Sequence, residues 1–240
     1  MLIQPEILIL SAGVFFGFVA QTIVGFAAAL VAFPFLLTQY NLQEATVFLS
    51  LYYVVFSLVM VCKNYKDIDR AVFKNVAFTA TLGYLVGFFI LKVANPHILE
   101  RILGGFVIIY SIYEWKYKKV FVIPTFITRL VGFVGGVVGG IFSSGNVIFG
   151  PLVSNRVKNG VAIRATLLAI FAIANFMRFP FVVVSGLFTW KIFINSLIIF
   201  PVFVLAIIVG HRIYKYVSEQ LLRKLILLFL IISGVYLLFK

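Results

Sequence analysis

The chain has 240 residues, 63% of them hydrophobic and only 11% charged, where an ordinary soluble domain carries about 45–50% and about 25%. So few charges cannot coat a water-facing surface of this length, and part of the solvent must be lipid. The net charge of +13 would suit nucleic acid. But Lys and Arg cluster between long apolar runs, as in cytoplasmic membrane loops, and no nucleic-acid partner is expected.

Eight apolar segments follow one another at 7–39, 45–62, 72–91, 98–114, 126–155, 163–185, 190–210 and 219–239; a span takes about 20 residues. The first begins near Ile7 without a basic n-region or a small-residue cleavage site, so it reads as mature structure instead of a signal peptide. Insertion of that kind suits a multi-pass protein of a bacterial or archaeal inner cell membrane. Segments one and five are about thirty residues each, too long for one span and too short for two. The first reads GVFFGFVAQTIVGFAAALVAFPFLL, with Gly13, Gly17 and Gly25 before Pro34; the fifth reads GFVGGVVGGIFSSGNVIFGPLV and ends at Pro151. Glycine weakens a helix by about 1 kcal/mol and proline by about 3. Close helix packing accounts for the G-x-x-x-G spacings. It does not account for the extra length, or for polar Gln21-Thr22 and Ser143-Ser144-Gly145-Asn146. Both segments are therefore expected to be broken or re-entrant helices, with Pro34 and Pro151 as helix breakers.

These segments head an internal repeat. Pro34 pairs with Pro151, Ala45-Thr46 with Ala165-Thr166, Phe73 with Phe193, and Leu99, Arg101, Phe106 and Tyr113 with Leu222, Lys224, Phe229 and Tyr236. If all eight segments crossed once, the cations would divide almost evenly between the two sides. If segments one and five enter and leave on the same side, Lys63, Lys66, Arg70 and Lys74, the 116–119 and 156–164 connectors, Arg129 and the 212–224 loop share the cytoplasm. Only Lys92, Arg101, Lys191 and Lys240 then remain outside, as the positive-inside rule requires. Each half then holds three spans, and an odd number inverts the second half relative to the first. The expected fold is all-α: a polytopic integral membrane protein of about eight hydrophobic helical segments in two inverted repeats, 1–119 and 120–240, within one transmembrane domain.

The acidic residues Glu6, Glu44, Asp67, Asp69, Glu100, Glu114 and Glu219 all fall in loops or at segment ends. A carboxylate-based cation or proton path is not expected. Arg178 is the exception, a charge inside segment six that either snorkels outward beside Pro180 and Gly186 or meets an anion with Asn175 close by. Broken helices expose N-terminal N–H groups suited to anions, Gly25 and Gly145 allow close approach, and Gln21, Thr22, Ser143, Ser144 and Asn146 offer neutral hydrogen bonds. Interhelical hydrogen bonding is the plain alternative for each polar residue. His97 and His211 lack the spacing of a metal or triad site, so neither a metal nor a cofactor is expected. Tyr113, Trp115 and Tyr117 beside Lys116 read as an interfacial belt. Lone Cys62 forms no intrachain disulfide.

The stretch GFVAQTIVGFAAALVAFPFLL, followed by Ala45, resembles the first signature of the sulfite exporter TauE/SafE family, and GGVVGGIFSSGNVIFGPLV resembles its second. The resemblance covers essentially the whole chain. It implies a permease for a small anion, a sulfur-containing oxyanion or organosulfonate such as sulfite or sulfoacetate, although Ser143, Ser144 and Asn146 interrupt the Gly-rich run that leads to the proline in the family pattern. The expected substrate-binding residues are Gln21, Thr22, Gly25, Ser143, Ser144, Gly145, Asn146, Asn175 and Arg178. The expected partners are the lipid bilayer and a small anionic solute, with a homodimer left open. Two other readings stand beside this one: a membrane assembly subunit without transport, and a serine hydrolase built on Ser143 or Ser144, which would need a base within reach.

Overall fold

The computed structural model describes residues 5–25, 28–116, 124–216 and 219–239. The described residues form α-helices and one 3-10 turn, without a strand. In chain order these are α1 (Pro5–Val24), α2 (Ala28–Leu36), α3 (Leu42–Asn64), the 3-10 turn Tyr65–Asp67, α4 (Arg70–Val93), α5 (Pro96–Lys116), α6 (Thr125–Phe142), α7 (Asn146–Ser154), α8 (Gly160–Val184), α9 (Trp190–Tyr216) and α10 (Glu219–Phe239). Each expected apolar segment lies on helix, and segments one and five are each two helices separated by a break. Tyr117 of the expected aromatic belt, and most of the 116–119 connector, lie outside the described residues.

Among the described residues, five helices are long and apolar enough to cross a membrane, over Pro5–Ile23, Leu42–Asp67, Arg70–Val93, Gly160–Val184 and Trp190–Tyr214; Phe126–Phe142 and Lys224–Phe239 are shorter apolar helices. The polar first turns of α5, with His97, Glu100 and Arg101, dilute its apolar character. Outward faces carry Phe78, Ile109, Phe126, Val184, Leu197 and Ile232, all more than 60% exposed. Water would not tolerate so much exposed apolar surface, so these faces meet lipid. The chain is an all-α polytopic membrane protein.

The order long, short, long, long, long occurs twice. α7 starts 118 positions after α2 (146 against 28) and α8 starts 118 after α3 (160 against 42). The interval is 120 from α4 to α9 (70 and 190) and 123 from α5 to α10 (96 and 219). Spatially the chain divides otherwise, into one unit of Met1–Phe48, Ala94–Lys118 and Thr189–Lys240 and another of Leu49–Val93 and Lys119–Phe188. Each unit draws on both halves of the sequence, because the long helix before each break packs on the fourth helix of the other half: α1 on α9, α6 on α4.

In the first unit, α2 folds back along α1. A Cβ at Gly17 would lie 2.7 Å from Ala28 O, and one at Gly13 would lie 2.9 Å from the Phe35 Cβ. α9 runs parallel to α1, since Glu6 pairs with Lys191 at 3.5 Å, Phe18 meets Phe203 edge-on at 4.7 Å, and Gly210 abuts Thr22. α5 and α10 run antiparallel, with Gly104 against Gly234 and Leu237, and Gly234 against Ile108. Tyr40, between α2 and α3, accepts a 2.8 Å bond from Asn195 Nδ2 of α9. Glu100, placed by sequence at a segment end, is buried in α5 at 3% exposure.

In the second unit, α4 and α6 run parallel at backbone contact. A Cβ at Gly83 would strike Phe133 O, one at Gly87 Val137 O, one at Gly136 Ala80 O, and one at Gly140 Tyr84 O. The G-x-x-x-G spacing of segment five is thus a packing stripe. α8 runs with α4 and against α3: Asp69 N donates to Thr166 Oγ1, Phe89 meets Phe181, and Tyr53 meets Phe171 edge-on at 4.8 Å. These directions collect Lys63, Lys66, Arg70, Lys74, Arg129, Arg156, Lys158 and Arg164 at one end of the unit, with Lys92 at the other.

The helix contact makes a size prediction. Gly136→Leu must push α6 off α4, and overpacking costs about 1–3 kcal/mol or more. Purified Gly136→Leu should melt well below wild type or fail to elute as a monodisperse peak. Gly105→Ala, where a Cβ meets nothing within 4 Å, should match or exceed the wild-type Tm.

Candidate functional site: a buried arginine at a helix break

Segment five breaks because α6 ends on a residue in left-handed conformation. Ser143 has φ 54°, and its N–H closes the helix on Gly139 O at 2.8 Å. This conformation is unusual for a residue with a side chain and costs on the order of 1–3 kcal/mol. α7 starts three residues later at Asn146. A Cβ at Gly145 would lie 2.8 Å from Gly135 O, so the chain can fold back on α6 only where that side chain is missing.

Arg178, from the middle of α8, points its guanidinium at this break and is fully buried. Nη1 donates to Gly140 O at 3.0 Å and makes a long contact of 3.5 Å to Gly139 O. Nη2 donates to Ser50 Oγ at 2.7 Å, with longer contacts to Ser143 Oγ at 3.3 Å and Asn175 Oδ1 at 3.4 Å. Nε is buried with no acceptor. The Tyr84 ring lies 5.7 Å away, within cation–π range.

The carbonyls of Gly139 and Gly140 belong to the last turn of α6, where aligned peptide dipoles amount to about half a negative charge. They are within reach because neither residue has a side chain. No carboxylate joins them: among the described residues the buried charged side chains are Arg178 and Glu100, and Glu100 belongs to the other unit. Taking a cation out of water and meeting it only with neutral dipoles leaves a large desolvation cost uncompensated. A charge retained under those terms inside a membrane protein makes Arg178 the candidate functional residue of this unit. The snorkelling alternative for Arg178 does not describe this structure.

The other expected residues divide between the two units. Asn175 and Ser143 are at the arginine. Ser144 and Asn146 are buried in the same break, with Ser144 Oγ donating to Phe142 O at 3.0 Å. Pro34 and Pro151 lie inside α2 and α7, and the breaks come before them. In the first unit, Gly25 takes φ 85° at the end of α1 and its N–H donates to Gln21 O at 2.8 Å. The Gln21 side chain bridges that break, with Nε2 donating to Gly25 O and Oε1 accepting from Ala28 N, both at 3.1 Å. Thr22 Oγ1 donates back to Phe18 O at 2.7 Å. Sequence reasoning missed Ser50, the Gly139 and Gly140 carbonyls, and Tyr84. Ser50 gave no signal of its own, because Ser57 on the same helix simply bonds back to Val54 O.

A family model described as "Sulfite exporter TauE/SafE" matches residues 9–237, nearly the whole chain. No curated protein and no solved structure matches it.

If Arg178 is held against the stability of the fold, replacing it with an apolar isostere should not harm folding, since exchanging buried charge for packed apolar volume is often neutral or stabilising. Arg178→Met should therefore keep or raise the Tm of the purified protein. A clear fall in Tm would reassign the guanidinium to structure.

Proposed function

Because the chain belongs to the sulfite exporter TauE/SafE family, we propose that it is a permease for a small sulfur-containing anion, an oxyanion or organosulfonate such as sulfite or sulfoacetate. The observation that carries this reading is the guanidinium of Arg178, buried against neutral groups at a helix break. A sulfur oxyanion supplies the missing charge. Its oxygens fit the Nε–Nη2 edge, where a planar guanidinium gives two parallel hydrogen bonds. Nη2 already has two long contacts, to Ser143 and Asn175, which a better acceptor displaces at little loss.

Halves 1–119 and 120–240 act as inverted repeats in this reading. Two pairs of equivalent helices support it, α5 with α10 and α3 with α8, each antiparallel within its own unit. In the same arrangement segments one and five enter and leave on one side, and both breaks serve substrate, with Gln21, Thr22 and Gly25 as the counterparts of Ser143, Ser144, Gly145 and Asn146. Inverted repeats with interrupted helices alternate access by rocking around a midplane site. The cationic end of the second unit faces the cytoplasm of the inner membrane.

Two measurements test this. Proteoliposomes should show saturable sulfite or sulfonate flux that Arg178→Ala abolishes and Gly105→Ala preserves; no flux of any sulfur anion would sink the transport reading. Single cysteines in place of Lys66 and Lys158 should be labelled from one side of the membrane, and one in place of Lys92 from the other. Labelling of Lys66 and Lys158 positions from opposite sides would remove the topology.

A further inference from the structure

Resting on the transport reading, we propose that the Tyr84 hydroxyl is a second donor to the bound anion, and that it makes the site choose a sulfur head group with three oxygens over a carboxylate. Two fully buried donors at this break have no acceptor, Nε of Arg178 and Oη of Tyr84. The backbone amide of Gly145 faces the phenol oxygen without closing a hydrogen bond. An N–H can only donate, so the phenol hydrogen is unclaimed in any case. Burying a hydroxyl unpaired works against folding. A phenylalanine fills the same volume without that cost, as Phe88 does one turn further along α4.

The chain is cut away around this hydroxyl on both sides of the break. A Cβ at Gly139, in the last turn of α6, would lie 2.6 Å from Oη, and one at Gly145, just before α7, would lie 3.1 Å from it. Gly139 is also the residue whose carbonyl Arg178 Nη1 contacts at 3.5 Å, and the guanidinium carbon lies 5.7 Å from the centre of the Tyr84 ring. Both idle donors thus sit at one turn of one helix. The Nε–Nη2 edge takes two oxygens of an anion, and a carboxylate has no more to give. A sulfonate or a sulfite has a third, and the phenol hydrogen is a donor for it. A site built to donate to a group discriminates against the analogue that lacks it, because its buried donor is then left unpaired.

The test compares purified wild type with Tyr84→Phe, which removes the oxygen and keeps the ring. Binding is read by displacing radiolabelled methanesulfonate with unlabelled methanesulfonate or with acetate, beside the Tm of each ligand-free protein. Tyr84→Phe should keep or raise the Tm, since the lost hydroxyl has no partner in the fold. It should bind methanesulfonate about tenfold more weakly, the effect of about 1.4 kcal/mol, and acetate as before, so the preference for the sulfonate shrinks by the same factor. Unchanged methanesulfonate affinity, an equal loss for both anions, or a clear fall in Tm would overturn the role of the hydroxyl and leave transport standing. So would wild-type protein that ignores methanesulfonate yet carries sulfite in liposomes. Wild-type protein that carries neither anion would overturn transport itself, and this inference with it.

Discussion

A guanidinium held by the end of a helix is a different object from one held by a carboxylate. A carboxylate would cancel the charge of Arg178 and leave nothing for a ligand to do. The last carbonyls of α6 hold the group in place and cancel only part of it. Most of what surrounds the arginine serves that arrangement. Gly139 and Gly140 have no side chains to screen their carbonyls. Ser143 takes a left-handed conformation so that α6 stops there, and Ser50 reaches from α3 to fix the other end of the fork.

The glycines of α6 divide between two tasks that the sequence presents as one stripe. Gly136 and Gly140 bring α6 onto α4 so closely that any side chain would meet backbone. Gly135 and Gly145 let the returning chain lie against the same helix. Backbone contact of this kind leaves no room for side chains to repack, so α4 and α6 form a stiff pair. A stiff pair keeps the carbonyl end of α6 at a constant height relative to α8, and so fixes where the positive charge sits.

Much of this was legible in the residues. Length and glycine content located both broken segments, and the repeat intervals gave the helix order twice over. Arg178 stood out because it was the charge inside an apolar run. Other features were hidden for physical reasons. Whether an arginine snorkels or points inward depends on helix rotation, which a run apolar on all sides does not encode. Ser50 could not be told from Ser57, since hydroxyls inside apolar helices usually bond back to their own helix. The spatial units were also out of reach of sequence. Periodicity describes one helix at a time, whereas the packing of α1 on α9 and of α6 on α4 joins distant parts of the chain.

The two breaks are fastened differently. At Gly25 the chain spans the gap with its own glutamine, and both ends of the Gln21 side-chain amide are engaged within seven residues. At Ser143 the fastener comes from α8, and it is a cation with one donor still idle. In the proposed transport reading, a solute anion competes with the neutral groups around that guanidinium at the second break.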